Sequence, residues 1–279
     1  MPLVVPRSSW PNFSPRVQEN TGRVLELFAR HNVSTTFFVL GWIAEQYPSL
    51  VRDIADAGHE IACHGYDHRR VTTFTRDEFR ADLRRARTAI EDACGLKVEG
   101  YRAPTFSITR QNLWALEVLA EEGFTYDSSI FPIRHDNYGI SDAPRFPHRC
   151  HFQNGGSIFE FPMSTVRLGR MNMPVAGGGY LRLLPMRFTK WAVHQIHRED
   201  RQPVIIYFHP WEVDPEQPRL QGPWKSRVRH YTNLGKTLQR LHELLSHGRY
   251  EPLIDSMFRH DRKAPTPFPL ESTMDAASA

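Results

Sequence analysis

Apolar and polar positions along this chain fall into blocks that switch between a helical and an extended period. Val17, Val24, Leu25 and Phe28 recur at helical spacing behind Ser14-Pro15, a cap and first-turn pair, and Asn32 is placed to end that helix. Thr35-Thr36-Phe37-Phe38-Val39-Leu40 is an unbroken run that reads as a buried strand. A helix over 48–57, closed by Gly58, precedes the short strand Ile61-Ala62-Cys63. Thr75-Arg76-Asp77-Glu78 forms a capping box, and Phe79, Leu83, Ala86 and Ile90 supply one apolar stripe up to Gly95. A strand over 98–101 leads to Arg102, a helix over 109–122 stops at Gly123, and Phe124-Thr125-Tyr126 leads to Asp127. This alternation of helices and strands predicts parallel strands with crossover helices, an α/β sheet or barrel.

The middle, 133–179, is rich in proline and predicts loops around one strand over 158–161, serving as a lid or substrate wall. A helix over 186–197 follows, then the strand Val204-Ile205-Ile206-Tyr207-Phe208 running into His209. Leu234, Leu238, Leu241 and Leu245 are the core stripe of a last helix. Residues 1–260 read as one domain and 261–279 as a disordered tail.

With 279 residues and 40% hydrophobic content the chain can bury a sizeable core. No apolar run approaches the ~20 residues that span a bilayer. The apolar stretch within 1–7 is too short for a secretory signal, so a cytoplasmic location is expected. Cys63, Cys94 and Cys150 are odd in number and far apart, which fits a reducing compartment, and Cys63 reads as a core residue. The net charge is +4, but basic residues are mixed with acids and lack interleaved aromatics, so nucleic acid is excluded as a partner.

Candidate chemistry gathers at strand ends. His64-Gly65-Tyr66-Asp67-His68 places two imidazoles four residues apart just after a strand, and such a pair can hold one divalent ion with positions left open. By itself the spacing equally suits two surface histidines. Arg102, Asp127 and His209 also follow predicted strands, the edge where α/β folds collect catalytic groups. Gly177-Gly178-Gly179 lacks the following Lys-Ser/Thr pair of a phosphate loop.

In order, H-G-Y-D-H (64–68), Y-R-A-P-T-F-S (101–107), F-T-Y-D-S-S (124–129) and I-Y-F-H-P-W-E (206–212) resemble the polysaccharide deacetylases with a NodB-homology domain, carbohydrate esterase family four. More narrowly, T-F-F-V-L-G-W (36–42), the 139–142 region and E-F-P-M-S-T-V (160–166) are similar to deacetylases of exosortase-linked exopolysaccharide clusters. The resemblance covers about 7–255 and implies a distorted (β/α) barrel that removes N-acetyl, or sometimes O-acetyl, groups from a glycan. It implies that His64 and His68 bind a divalent metal, usually zinc, and that Arg102 orients the catalytic aspartate. Thr105 then stands where a backbone N–H holds the oxyanion, Asp127 partners the catalytic histidine, and His209 is that histidine, donating a proton to the leaving amine. Tyr101 and Trp211 are candidate surfaces for sugar rings, each equally able to be core.

One departure from the family pattern matters. The family's first strand ends in an acidic pair, a metal ligand and the general base, yet residues 1–14 contain no Asp or Glu. The third ligand and the base are therefore left unassigned, and the barrel is expected to lack its first strand. Two expectations follow: an amino-terminally truncated active deacetylase, or a silent glycan-binding or assembly protein on the same fold. A metal-independent amidohydrolase of small cyclic amides is a weaker alternative, disfavoured by the exopolysaccharide-type motifs.

Overall fold

A computed structural model describes residues 16–135, 138–175, 177–220, 223–260 and 268–269. The chain divides into two compact units, 1–33 with 174–249 (the helical unit) and 34–173 with 250–279 (the sheet unit).

The sheet unit contains β1 (Thr36–Val39), α2 (Gly41–Gln46), α3 (Pro48–Asp56), β2 (Glu60–Cys63), α4 (Arg76–Cys94), β3 (Gly100–Tyr101), α5 (Trp114–Glu121) and β4 (Tyr126–Asp127). β5 (His148–His151), β6 (Ser157–Glu160), β7 (Thr165–Leu168), β8 (Met171–Pro174), α10 (Leu253–His260) and β9 (Phe268–Pro269) complete it. The main sheet runs β1-β2-β3-β4-β6-β5-β9, while β7 and β8 form a separate two-stranded ribbon. The five strands from β1 to β6 in that order are parallel, and β5 turns back antiparallel to β6. The α/β expectation holds. Among the described residues no ladder joins β1 to β9, so the sheet is an open row there. The expectation that the barrel lacks its first strand falls on residues outside those described.

The predicted helices form for the anticipated reasons. Thr75 accepts from the Glu78 backbone and the Glu78 carboxylate accepts from the Thr75 N–H, which satisfies two orphan donors at the start of α4. Phe79, Leu83, Ala86 and Ile90 are fully buried, each large side chain contributing about 1.5–3 kcal/mol. Gly95 leaves α4 in the left-handed region, where a Cβ would be strained.

Three differences are informative. The helix predicted over 109–122 begins only at Trp114, because Thr109 caps a separate 3₁₀ turn through Asn112. The 133–179 stretch carries four strands rather than one, since the short ribbons β5–β6 and β7–β8 have no strong period of their own. In the tail, Phe268–Pro269 pairs with β5, and the other residues of 261–279 lie outside the described set.

The helical unit contains α1 (Val17–His31), α6 (Gly178–Leu183), α7 (Met186–Gln195), α8 (Trp224–Tyr231) and α9 (Thr237–Leu245). α1 ends at Asn32 in the left-handed conformation as expected, whereas the Ser14-Pro15 start lies outside the described residues. The strand expected over 204–208 is reduced to one bridge between Tyr207 and Gly177. A β-branched run supplies extended propensity, but a strand exists only where a neighbour offers a ladder. Gly177 is required at that bridge: a Cβ there would lie 2.1 Å from the Tyr207 ring. The triple glycine thus serves close packing at the start of α6.

Candidate active site

Register builds the site in the sheet unit. Val39, Cys63, Tyr101, Asp127 and Glu160 form one continuous row across five strands, each paired with the next. The residues one step later, His64, Arg102 and Ser128, therefore emerge together at the carboxyl edge of a parallel sheet, where α/β folds assemble sites.

There, Nδ1 of His64 lies 2.7 Å from the Arg102 carbonyl oxygen. A carbonyl can only accept, so Nδ1 carries the proton and the ring lone pair lies on Nε2. A backbone carbonyl fixing the second nitrogen in this way is the support that metal-ligating histidines have. The His68 ring stands edge-on to His64 with centroids 5.2 Å apart, and His68 itself is in the left-handed region, φ 63°. This donor set fits two ligands of a divalent ion. No group of three or more His, Cys, Asp or Glu positioned to hold an ion occurs among the described residues.

Arg102 is buried and donates from Nε to the Ser128 carbonyl (3.0 Å) and from Nη2 to the Ser128 hydroxyl (2.7 Å). It thus clamps the backbone just beyond Asp127. Asp127 is 0% exposed, and Ser129 donates to it from both its hydroxyl (2.6 Å) and its backbone N–H (3.0 Å). Thr105 and Phe106 sit consecutively at φ 60° and 53°, a conformation a β-branched residue adopts only when its surroundings force it. The Phe106 ring meets Phe131 and Tyr138, and His135 stacks on Tyr138 at 3.9 Å.

One sequence-derived assignment changes. Tyr101 is 1% exposed and packed edge-on against Phe79 and Phe124, so it is core and offers no surface to a sugar. Its place in the register row turns it inward, whereas Arg102 follows on the site edge. Trp211 is stacked on His209 at 5.5 Å and on His230 at 4.2 Å, with the Arg182 guanidinium 5.3 Å from its ring centre. Its ring is stacked by the chain's own groups and is half-buried.

In the helical unit, His209 precedes a 3₁₀ turn over Pro210–Val213 and its side chain is 44% exposed. Glu212, three residues on and 1% exposed, accepts from the His209 backbone N–H (3.0 Å) and lies 2.8 Å from its Nδ1. Its other oxygen accepts from Nε of Arg182 at 2.6 Å, and Arg182 is itself 2% exposed. The remaining donors of Arg182 reach the carbonyls of His230 and Thr232. Burial works against ionising Glu212, but the hydrogen bond and charge of His209 and those of Arg182 outweigh it and hold the carboxyl below its usual range. A carboxylate acceptor at Nδ1 again leaves Nε2 as the other functional nitrogen. Deeper in this unit Asp214 accepts from Arg16 (2.9 Å) and Asn20 (3.1 Å), which fastens α1 to the turn.

Sequence reasoning missed Glu212, Arg182 and Glu160 as site residues. The i,i+3 spacing after His209, with proline between, was a local signal for Glu212. Nothing local marks Arg182, whose partner lies 30 positions away.

The polysaccharide deacetylase profile matches residues 9–126, and a domain of unknown function (DUF3473) matches 128–257. Residues 9–126, under half of the chain, are thus similar to the polysaccharide deacetylase family. Relatives of this deacetylase region include a peptidoglycan-N-acetylglucosamine deacetylase of Bacillus cereus, 34% identical over 100 residues, 36% of each chain. A chitooligosaccharide deacetylase of Rhizobium leguminosarum bv. trifolii is 32% identical over 100 residues, 36% of this chain and 44% of the relative. The chain thus spans well under half the length of these curated relatives. In fold it resembles a Mycobacterium smegmatis protein assigned to the polysaccharide deacetylases, with TM-score 0.59, 22% identity, and 93% and 82% of the two chains covered. A Puue allantoinase has the same TM-score at 18% identity, covering 88% of this chain and 74% of its own.

Proposed function

We propose that this chain catalyses metal-dependent removal of acetyl groups, N-acetyl foremost, from a polysaccharide of exopolysaccharide type, in the cytoplasm. The observation that carries this reading is the His64–His68 pair at a parallel-sheet edge, with Nδ1 of His64 fixed by the Arg102 carbonyl. His64 and His68 would hold a divalent ion, for which zinc is well suited by its liking for imidazole. Once bound, such an ion supplies Lewis acidity toward an acetyl carbonyl and lowers the pKa of a water.

The chain's own groups do the rest. The backbone at Thr105, held in its left-handed turn, is preorganised to meet developing negative charge without reorganisation. His209, its Nδ1–H fixed on Glu212, carries from Nε2 the proton that the departing amine needs. Phe106 and Tyr138 offer aromatic surface for a sugar ring. The relatives' names, peptidoglycan and chitooligosaccharide deacetylases, support an acetylated amino sugar as substrate.

Acetate release from an acetylated chitooligosaccharide, with and without chelator, tests this reading. Wild type should release acetate only with metal, and His64→Ala should lower kcat/KM by at least about a hundredfold and weaken zinc binding measured by calorimetry. Full activity in that variant would remove the metal role, and glycan binding without acetate release would make the chain a glycan-binding protein.

A further inference from the structure

The buried end of β4 and β6 holds two carboxyl groups side by side. Asp127 and Glu160 are register partners on adjacent parallel strands, and both are 0% exposed. Neither group faces bulk solvent, so each depends on neighbouring groups for its hydrogen bonds.

The hydrogen bonds leave one solution. Ser129 accepts at its hydroxyl oxygen from the Ala103 N–H (2.8 Å), so its own O–H is directed at Asp127 Oδ1. The Ser129 N–H serves Asp127 Oδ2, and two donors mark Asp127 as the ionised member. Glu160 accepts from the Ile130 N–H at Oε1 (2.9 Å), while Oε2 receives no N–H or O–H among the described residues. Glu160 stands beside Asp127 on the neighbouring strand, and two adjacent carboxyls sealed from bulk solvent avoid facing each other as like charges when one of them keeps its proton. We propose that Glu160 is a neutral carboxylic acid that donates from Oε2 to Asp127, positioning the Ser129–Ala103 chain that holds the Thr105 turn.

The surroundings agree. Burial first, and the Asp127 charge second, push the Glu160 carboxyl well above its usual range, although the Arg102 charge opposes this. On β5, burial holds the His148 ring below its usual range and pushes the Cys150 thiol far up, so neither brings a compensating charge. The pair thus carries a single proton and a single negative charge.

The positioning role rests on the proposed deacetylase activity, whereas the protonation state does not, and the test separates the two. Unfolding of the full chain is followed by urea between pH 4 and 8 for wild type, Glu160→Gln and Glu160→Ala. A group whose folded pKa exceeds the unfolded 4.5 loses its stabilising contribution as pH rises from there through the folded value. Wild type should therefore show a falling limb that Glu160→Gln, a permanent donor, lacks. An identical slope in both would mean that Glu160 is ionised, and overturns the proposal. In acetate release, at a pH where circular dichroism shows both variants folded, Glu160→Gln should keep kcat near wild type while Glu160→Ala loses roughly tenfold or more. Equal losses in both overturn the positioning role. Should wild type release no acetate, the activity reading fails, while the unfolding series still decides where the proton sits.

Discussion

Glu212 in the helical unit and Glu160 in the sheet unit are both sealed from solvent, yet they hold opposite charge states. Glu212 faces Arg182 and His209 and is held ionised, whereas Glu160 faces Asp127 and is held protonated. Burial alone would raise both carboxyls, so burial does not decide the outcome. The partners do: His209 and the Arg182 guanidinium together outweigh the desolvation at Glu212, whereas a second carboxyl adds to it at Glu160. One acid therefore works as a fixed negative charge behind a histidine and the other as a hydrogen-bond donor behind a loop.

Breaking the charged pair should have the largest effect on this contrast. Arg182→Ala removes the guanidinium from the buried Glu212 and leaves it only His209, so stability in chemical denaturation should fall by about 3–5 kcal/mol. A loss under 1 kcal/mol would mean that the pair is not sealed as described.

Next is the histidine that Glu212 holds. His209→Ala should lower kcat by roughly 10²–10⁴-fold with little change in KM, the signature of a proton donor used in the reaction step. Glu212→Gln should lower kcat by a smaller factor, and unchanged turnover in it would reduce the Glu212 contact to a structural one.

Least in size is the pH dependence, which should differ in sign between the two acids. Glu212 has its folded pKa depressed below 4.5, so its contribution is present above that value and is lost as pH falls through the folded one. An acid limb of instability, removed in Glu212→Gln, should therefore complement the rising-pH limb assigned to Glu160. Limbs of the same sign would erase the contrast.

How legible each region was follows from how it is built. The sheet unit was read well from β1 to β4 because capping boxes, glycine stops and apolar periods are local, and parallel strands place their following residues on one edge. His64 and Arg102 fall at that edge for that reason. The helical unit was read less well, since its site is held by ion pairs between distant positions, Arg182 with Glu212 and Arg16 with Asp214, which leave no periodic trace. The apolar run before His209 carried a strand's propensity without a strand's neighbours. Tyr101 shows the same limit, because an aromatic next to a site motif looks identical in sequence whether it faces substrate or core.

The sequence by itself determined the α/β alternation and the carboxyl-edge location of His64 and Arg102, and it carries motifs that resemble those of the deacetylases. Only the tertiary structure decided which nitrogen of each histidine is pinned, which aromatics are enclosed, and which buried acid keeps its proton. Periodicity and capping act between residues a few positions apart and are written in local order. Protonation and tautomer depend on which groups lie within hydrogen-bonding reach in a medium without water, and that is fixed only when strands and helices meet.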